Sequence, residues 1–268
     1  MLKISVFNGN ILSYNGSFIA FDDSAPSPTY DADAEAYFAR MTTQPSTGFK
    51  DRVDTFIRAQ KTSGLWAKKK VVVILQGETQ QGSLLNMIGN ANNPTFMNSP
   101  TWSTDGVTCT YTGEIVTNFN PSTDGGIIFT QNNARCMIYI KTSTFNGGAD
   151  ILSSTINPSI SLSVFSGEDR DAIIFTVNND QASLDYNYYG NIGISEIQRE
   201  SSSIMKYTNY YDGNTFTSNK ISTGLPNTNL RIGVTTLRQY GFYEFGSVLT
   251  PSEATDNYNQ IKTLLQIP

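Results

Sequence analysis

At 268 residues the chain is long enough to bury a full core, as one large β domain or two ordinary ones. Charged residues make up only 15% and the net charge is −5, which argues against nucleic acid as the main partner. Histidine is absent, which excludes Ser-His-Asp, Cys-His and His-metal chemistry and leaves carboxylates as the groups any enzyme here would use. No apolar run approaches the roughly 20 residues that span a bilayer, so no membrane partner is expected. Met1-Leu2-Lys3 leads into alternating residues rather than the apolar core of a signal peptide, so synthesis in a cytoplasm is expected despite a polar, weakly charged surface composition.

In chain order, residues 2–21 read as a hairpin, with Asn8-Gly9-Asn10 and Asn15-Gly16 as tight turns. Pro26 and Pro28 mark an extended linker, which sets 1–29 apart as an arm. Two helices follow within 30–70. Tyr30, Ala34, Tyr37, Phe38 and Met41 share one face of the first, and Asp31, Asp33 and Glu35 load its first turn favourably for the helix dipole. The second runs from about 47 to 63 with Phe49, Val53, Phe56 and Ile57 as its stripe and Gly64 as its stop. Trp66 is expected to anchor this helix to the layer beneath it, whereas Trp102 is assignable to neither core nor surface. Lys68-Lys69-Lys70 reads as a solvated helix exit.

Residues 71–268 read as β. The apolar run 71–75 suits a strand buried on both faces. Further strands are predicted at 84–88, 107–111, 127–130, 135–141, 159–164, 172–177, 184–189, 192–197, 204–211 and 214–218, with Gly190-Asn191 and Asp212-Gly213 as hairpin turns. Near the end, 230–234 and 239–246 read as two strands closing a sheet, with a helix on its edge. Thr250-Pro251-Ser252-Glu253 is a capping box that starts this helix, and Ala254, Tyr258, Ile261 and Leu265 form its face. Short strands between turn residues, with no internal repeat, predict a mainly β fold: a two-sheet antiparallel jelly-roll sandwich with two N-terminal helices and one C-terminal helix. Cys109 and Cys136 lie in strand-like stretches and are expected as buried free thiols.

Several motifs together resemble a known family. Asp31-Ala32-Asp33-Ala34, then Val53-Asp54-Thr55-Phe56-Ile57 through Lys61-Thr62-Ser63-Gly64-Leu65-Trp66-Ala67-Lys68, is similar to the paired-helix segment before a laminin-G-like lectin domain in phage virion and tail structural proteins. The likeness continues at Leu84-Leu85-Asn86-Met87-Ile88-Gly89, Thr117-Asn118-Phe119-Asn120-Pro121-Ser122, Gly241-Phe242-Tyr243-Glu244-Phe245-Gly246 and Leu249-Thr250-Pro251-Ser252-Glu253, and covers about 30–268. It implies a concanavalin A-like sandwich displayed on a phage particle. The expected partners are other virion proteins, through the arm 1–29, and host-surface glycans; a homo-oligomer is left open. These motifs are helix stripes, turns and a cap, so they carry no site residues across.

Glycoside hydrolysis needs two carboxyls about 5–10 Å apart. Enzymes of the same sandwich superfamily set them on one strand as Glu-x-Asp-x-Glu. Glu196 and Glu200 have that spacing, but Gln198 replaces the central acid, so they read as surface carboxylates and the protein as a non-enzyme. Glu168-Asp169-Arg170-Asp171 reads as a solvated turn, and Asp22-Asp23 and Asn178-Asn179-Asp180 have the same status. No cofactor is expected: calcium would need oxygen ligands from other loops and no motif supplies them. For sugar binding, which uses aromatic faces beside amides and carboxylates, Tyr186, Tyr188, Tyr189, Tyr207, Tyr210 and Tyr211 lie in or beside hairpins. Tyr188, Tyr189, Tyr210 and Tyr211 are the candidates, with ordinary strand packing as the competing role of each. The leading expectation is a virion-surface adhesin in a tail, a fibre or a capsid appendage. The alternatives are an architectural decoration protein and a carboxylate-dependent depolymerase.

Overall fold

The computed structural model describes residues 29–143, 148–153, 158–165, 172–180, 182–185 and 192–268, with the strand residues 4–7, 10–14 and 17–18. The chain divides into two compact units, Met1–Tyr30 and Asp31–Pro268. In the first, β1 (Ile4–Phe7), β2 (Asn10–Tyr14) and β3 (Ser17–Phe18) form a small antiparallel sheet.

The second unit opens with α1 (Ala32–Ala39) and α2 (Thr47–Thr62). Asp31 caps α1 by accepting from Asp33 N, and Ser46 caps α2 by accepting from Phe49 N. The strands are β4 (Lys69–Ile74), β5 (Thr95–Met97), β6 (Thr101–Ser103), β7 (Gly106–Thr108) and β8 (Glu114–Val116), then, after the short helix α3 (Pro121–Asp124), β9 (Ala134–Ser143). There follow β10 (Ala149–Ser153), β11 (Ser159–Phe165), β12 (Ala172–Asn179), β13 (Ser183–Asp185), β14 (Gly193–Arg199), β15 (Ile204–Asn209), β16 (Thr215–Asn219), β17 (Leu230–Val234) and β18 (Arg238–Gly246), before α4 (Pro251–Leu265).

These strands make the expected two-sheet antiparallel jelly-roll sandwich. One sheet has the order β13-β12-β11-β10-β17-β8-β5; the other has β16-β15-β14-β9-β18-β7-β6, with β4 also paired to β18. Alternation along each strand sends one set of side chains between the sheets. Val71, Val73, Cys136, Ile138, Tyr243 and Phe245 meet Ile115, Ile151, Leu162, Phe175 and Ile232 there in one buried core. Phe119 stacks on Phe245 at 5.5 Å in that core. The sheets are also tied by ions: Arg238 of β18 donates to both oxygens of Asp150 on β10, at 2.7 and 2.6 Å, and both residues are fully buried.

The opposite face of the larger sheet lies under the helices, so β4 is buried on both sides, as its unbroken apolar run requires. Both halves of the α4 capping box form: Thr250 N donates to Glu253 Oε2 at 2.9 Å and Glu253 N to Thr250 Oγ1 at 3.4 Å. Such a cap contributes about 1 kcal/mol. Trp66 stands edge-on to Phe56 of α2 and donates its indole N–H to Asp33 of α1 at 2.9 Å, so it joins the two helices to each other. Trp102 is half-buried against the core, its indole N–H on Ser83 Oγ.

Several expectations need correction. β17 and β18 do not close one sheet; they belong to opposite sheets, and α4 covers a face rather than an edge. β13 and β14 likewise lie in different sheets, so residues 184–197 are not a hairpin; the turn itself, 186–191, lies outside the described residues. Segment 84–88 is not a strand. The buried Asn86 amide holds it as a loop, accepting from Val72 N and Ile88 N and donating to Ile88 O and Ala91 O. Segment 127–130 forms turns, and Ile127 is 93% exposed. The Asp212-Gly213 hairpin is present, joining β15 to β16.

Candidate functional site

Beneath α4 the larger sheet carries a lattice of four buried charges on four adjacent strands, Glu196 (β14), Arg135 (β9), Glu244 (β18) and Lys69 (β4). Arg135 Nη1 lies 3.1 Å from Glu196 and 2.6 Å from Glu244, and Lys69 pairs with Glu244. Asn257 of α4 closes the set, donating to Glu244 at 2.7 Å and accepting from Lys69 at 2.7 Å and from Gln60 of α2 at 2.9 Å. Two cations balance two carboxylates, which is what burial of ions requires.

Two sequence readings are overturned here. Lys69 is not part of a solvated run. An extra residue in β4 opposite Gly246 shifts the register and turns Lys69 under the helices, and a Cβ on Gly246 would collide with the Lys68 carbonyl. Glu196 is not a surface carboxylate but is fully buried, while Glu200 is exposed. Burial lowers Lys69, and the opposing pull of Glu244 leaves it at about 8. Burial pushes Glu244 up, but Arg135, Lys69 and Asn257 outweigh it and hold the carboxyl at about 2. Burial raises Glu196 more than Arg135 lowers it.

The lattice reaches the surface through tyrosines. Tyr210 O–H donates to Glu196 Oε1 at 3.3 Å, and its ring stacks on Tyr258 of α4 at 4.8 Å, tilted by 13°. Burial, then the Glu196 charge, raise the Tyr210 phenol. One face of Tyr210 is therefore covered by Tyr258 and offers no platform to a ligand. Its neighbour Tyr211 is 69% exposed. The buried Asn209 fixes this turn, its Oδ1 accepting from Tyr211 N at 2.7 Å and Asp212 N at 3.3 Å, while Asn214 N donates to Asp212 Oδ1 at 2.9 Å. A cleft of about 160 Å³ opens here, lined by Tyr139, Lys141, Gly193, Tyr211, Tyr258 and Pro268.

Of the four candidate tyrosines, Tyr211 lines the cleft, Tyr210 lies behind it against the lining Tyr258, and Tyr188 and Tyr189 lie outside the described residues, as does Tyr186. Tyr207 is core, with its ring on Phe175 and Phe216. Sequence reading missed Tyr139 and Lys141, whose strand position gave no hint of a loop-built site, and Tyr258, which was assigned to the buried helix face. Among the described residues no group of three or more Asp, Glu or Cys side chains could hold a metal. The segments 168–171 and 22–23 lie outside the described residues.

No protein-family model matches the chain, and no curated protein matches it. Solved structures do. The binding domain of botulinum neurotoxin serotype D aligns over 72% of this chain and 51% of its own, at 14% identity and a TM-score of 0.51. The receptor-binding domain of the mosaic serotype C/D toxin aligns over 72% and 50%, at 12% and 0.49. Domain 4 of an extracellular arabinanase from Geobacillus stearothermophilus, solved with arabinotriose, aligns over 71% and 98%, at 12% and 0.48. What is shared is the β-sandwich. This chain spans about half the length of the toxin domains it matches.

Proposed function

We propose that the protein is a bacteriophage virion protein that adheres to host-surface glycan without cleaving it. It would be made in the host cytoplasm, displayed on the particle surface and attached to other virion proteins through residues 1–29. The virion setting rests on the family-like motifs in 31–34, 53–68 and 241–253. Adhesion rests on one observation: an exposed tyrosine, Tyr211, held by a fixed turn at the mouth of a cleft walled by Tyr258 and Tyr139. Aromatic faces beside amide and charged groups suit the apolar faces and hydroxyls of a sugar ring. The matched serotype D toxin region is itself described as a binding domain, and extending binding to this chain is part of the proposal.

A non-catalytic role fits the Glu196 and Glu200 pair, because Glu196 is sealed under α4 and engaged by Arg135 and Tyr210. No metal or cofactor enters the proposal. The test is a glycan array probed with the full chain and its Tyr211→Ala variant. Binding that the substitution removes supports adhesion; no binding to any host-surface glycan leaves a purely architectural protein.

A further inference from the structure

The tyrosine cleft does not stand alone. A second, more polar cleft of about 320 Å³ is lined by Arg52, Gln76, Glu78, Asp105, Lys141 and Gln266. Lys141 lines both, and so does the end of α4: Leu265 and Gln266 face the polar cleft, Ile267 and Pro268 the tyrosine cleft. Gln266 makes this possible. It takes a left-handed conformation, φ 54°, and with Ile267 N bonded back to Lys262 O it turns the chain out of the helix.

We propose that the two clefts form one groove around the end of α4 that takes an uncharged oligosaccharide rather than a single sugar. This rests on the adhesive reading above. The size argument comes first: about 160 Å³ is below the roughly 300–1,000 Å³ of sites that enclose small ligands, so a ligand confined to the tyrosine cleft is poorly covered, whereas one that continues past Lys141 gains the larger cavity. Charge sets the class. The polar cleft holds two cations, Arg52 and Lys141, and two carboxylates, Glu78 and Asp105. Lys141 Nζ is 3.3 Å from Asp105, whose side chain is 78% exposed, and Glu78 accepts from Ser46 N and Oγ at 2.5 and 2.6 Å. Sugar hydroxyls can donate to such carboxylates and accept from the ammonium, while an acidic sugar finds no net attraction in a cleft whose two cations are balanced by two carboxylates.

The experiment is calorimetric titration of the full chain with gluco-, galacto- and manno-oligosaccharides of one to six residues, beside oligomers of uronic acids. Affinity is expected to rise about tenfold or more from one residue to the longer members, and Asp105→Ala to lower affinity for those by about tenfold, as for one charge-assisted hydrogen bond. Tyr211→Ala should weaken every length. A flat ladder, preference for the uronic acids, or an Asp105→Ala variant with unchanged affinity for long oligomers overturns the groove and leaves the adhesive reading standing. Absence of binding at every length overturns both.

Discussion

A methyl group on Gly193 would stand 2.6 Å from the Cβ of Tyr211, and Gly193 holds φ at +99°. The first residue of β14 is thus bare because the tyrosine of the neighbouring turn lies over it. Any side chain there must move Tyr211, and it must also adopt a backbone conformation that L residues rarely take.

Gly193→Ala is therefore expected to destabilise the protein by about 1–3 kcal/mol and to weaken glycan binding. Gly64→Ala separates the two causes. Gly64 also has positive φ, +74°, but nothing lies within 4 Å of the added methyl. It should cost about 1 kcal/mol through backbone strain alone and leave binding unchanged. Urea unfolding and glycan titration of both variants check this.

The charge lattice predicts strong asymmetry between breaking it and replacing it. Arg135→Met leaves Glu196 and Glu244 facing each other in a buried site and is expected to cost about 3–5 kcal/mol. Replacing Glu196 by Gln as well should recover part of that loss. Denaturant unfolding of the single and double variants measures the coupling.

The lattice also shapes the pH dependence. Glu244 is held at about 2 against an ordinary 4.5, so between those values the unfolded chain binds the extra proton and stability falls as the pH drops. Lys69 is held at about 8 against an ordinary 10.5, so between those values the folded chain has lost a proton that the unfolded chain keeps, and stability rises with pH. Glu196, raised by burial, loses stability as the pH climbs above 4.5. The buried Cys109 and Cys136 thiols, both raised, act the other way above about 9. Unfolding free energies from pH 8 to 10.5 should therefore fall more steeply with pH in Lys69→Met than in the wild type, the difference being the rising contribution of Lys69.

Cys109 and Cys136 are both buried free thiols. Burial pushes Cys109 up to about 12, and Cys136 also upward. Since the thiolate is the reactive form, neither should react with a disulfide reagent at neutral pH in the native protein, and both should react in guanidinium. Rapid modification of the native chain would contradict their placement.

The sandwich was legible in the sequence because its signals are local. The alternation of β9 and β18, the Asp212-Gly213 turn and the Thr250–Glu253 box each occupy a few neighbouring residues. What escaped is non-local. Lys69 and Glu244 lie 175 positions apart, and a lysine within Lys68-Lys69-Lys70 looks solvated until a register shift turns it inward. Glu196 looked like a surface acid because its partner, Arg135, sits on the neighbouring strand two residues out of register and 61 positions away in sequence. One signal was available: single charges inside otherwise apolar strands, as at Glu244 between Tyr243 and Phe245 and at Arg135 beside Cys136, mark ions that must pair. At the site, adjacency gave Tyr210 and Tyr211 together. It could not say that Tyr258 covers the first and Asn209 presents the second.

Contact between Tyr211 and glycan is tested most directly by the glycan array with the 268-residue wild-type chain and Tyr211→Ala side by side, each first shown to unfold at the same denaturant concentration. The wild type is expected to give defined glycan hits that fall by about tenfold or more on losing the ring, the effect of one lost stacking face. Equal binding by the two proteins, or no hits for either, would contradict it.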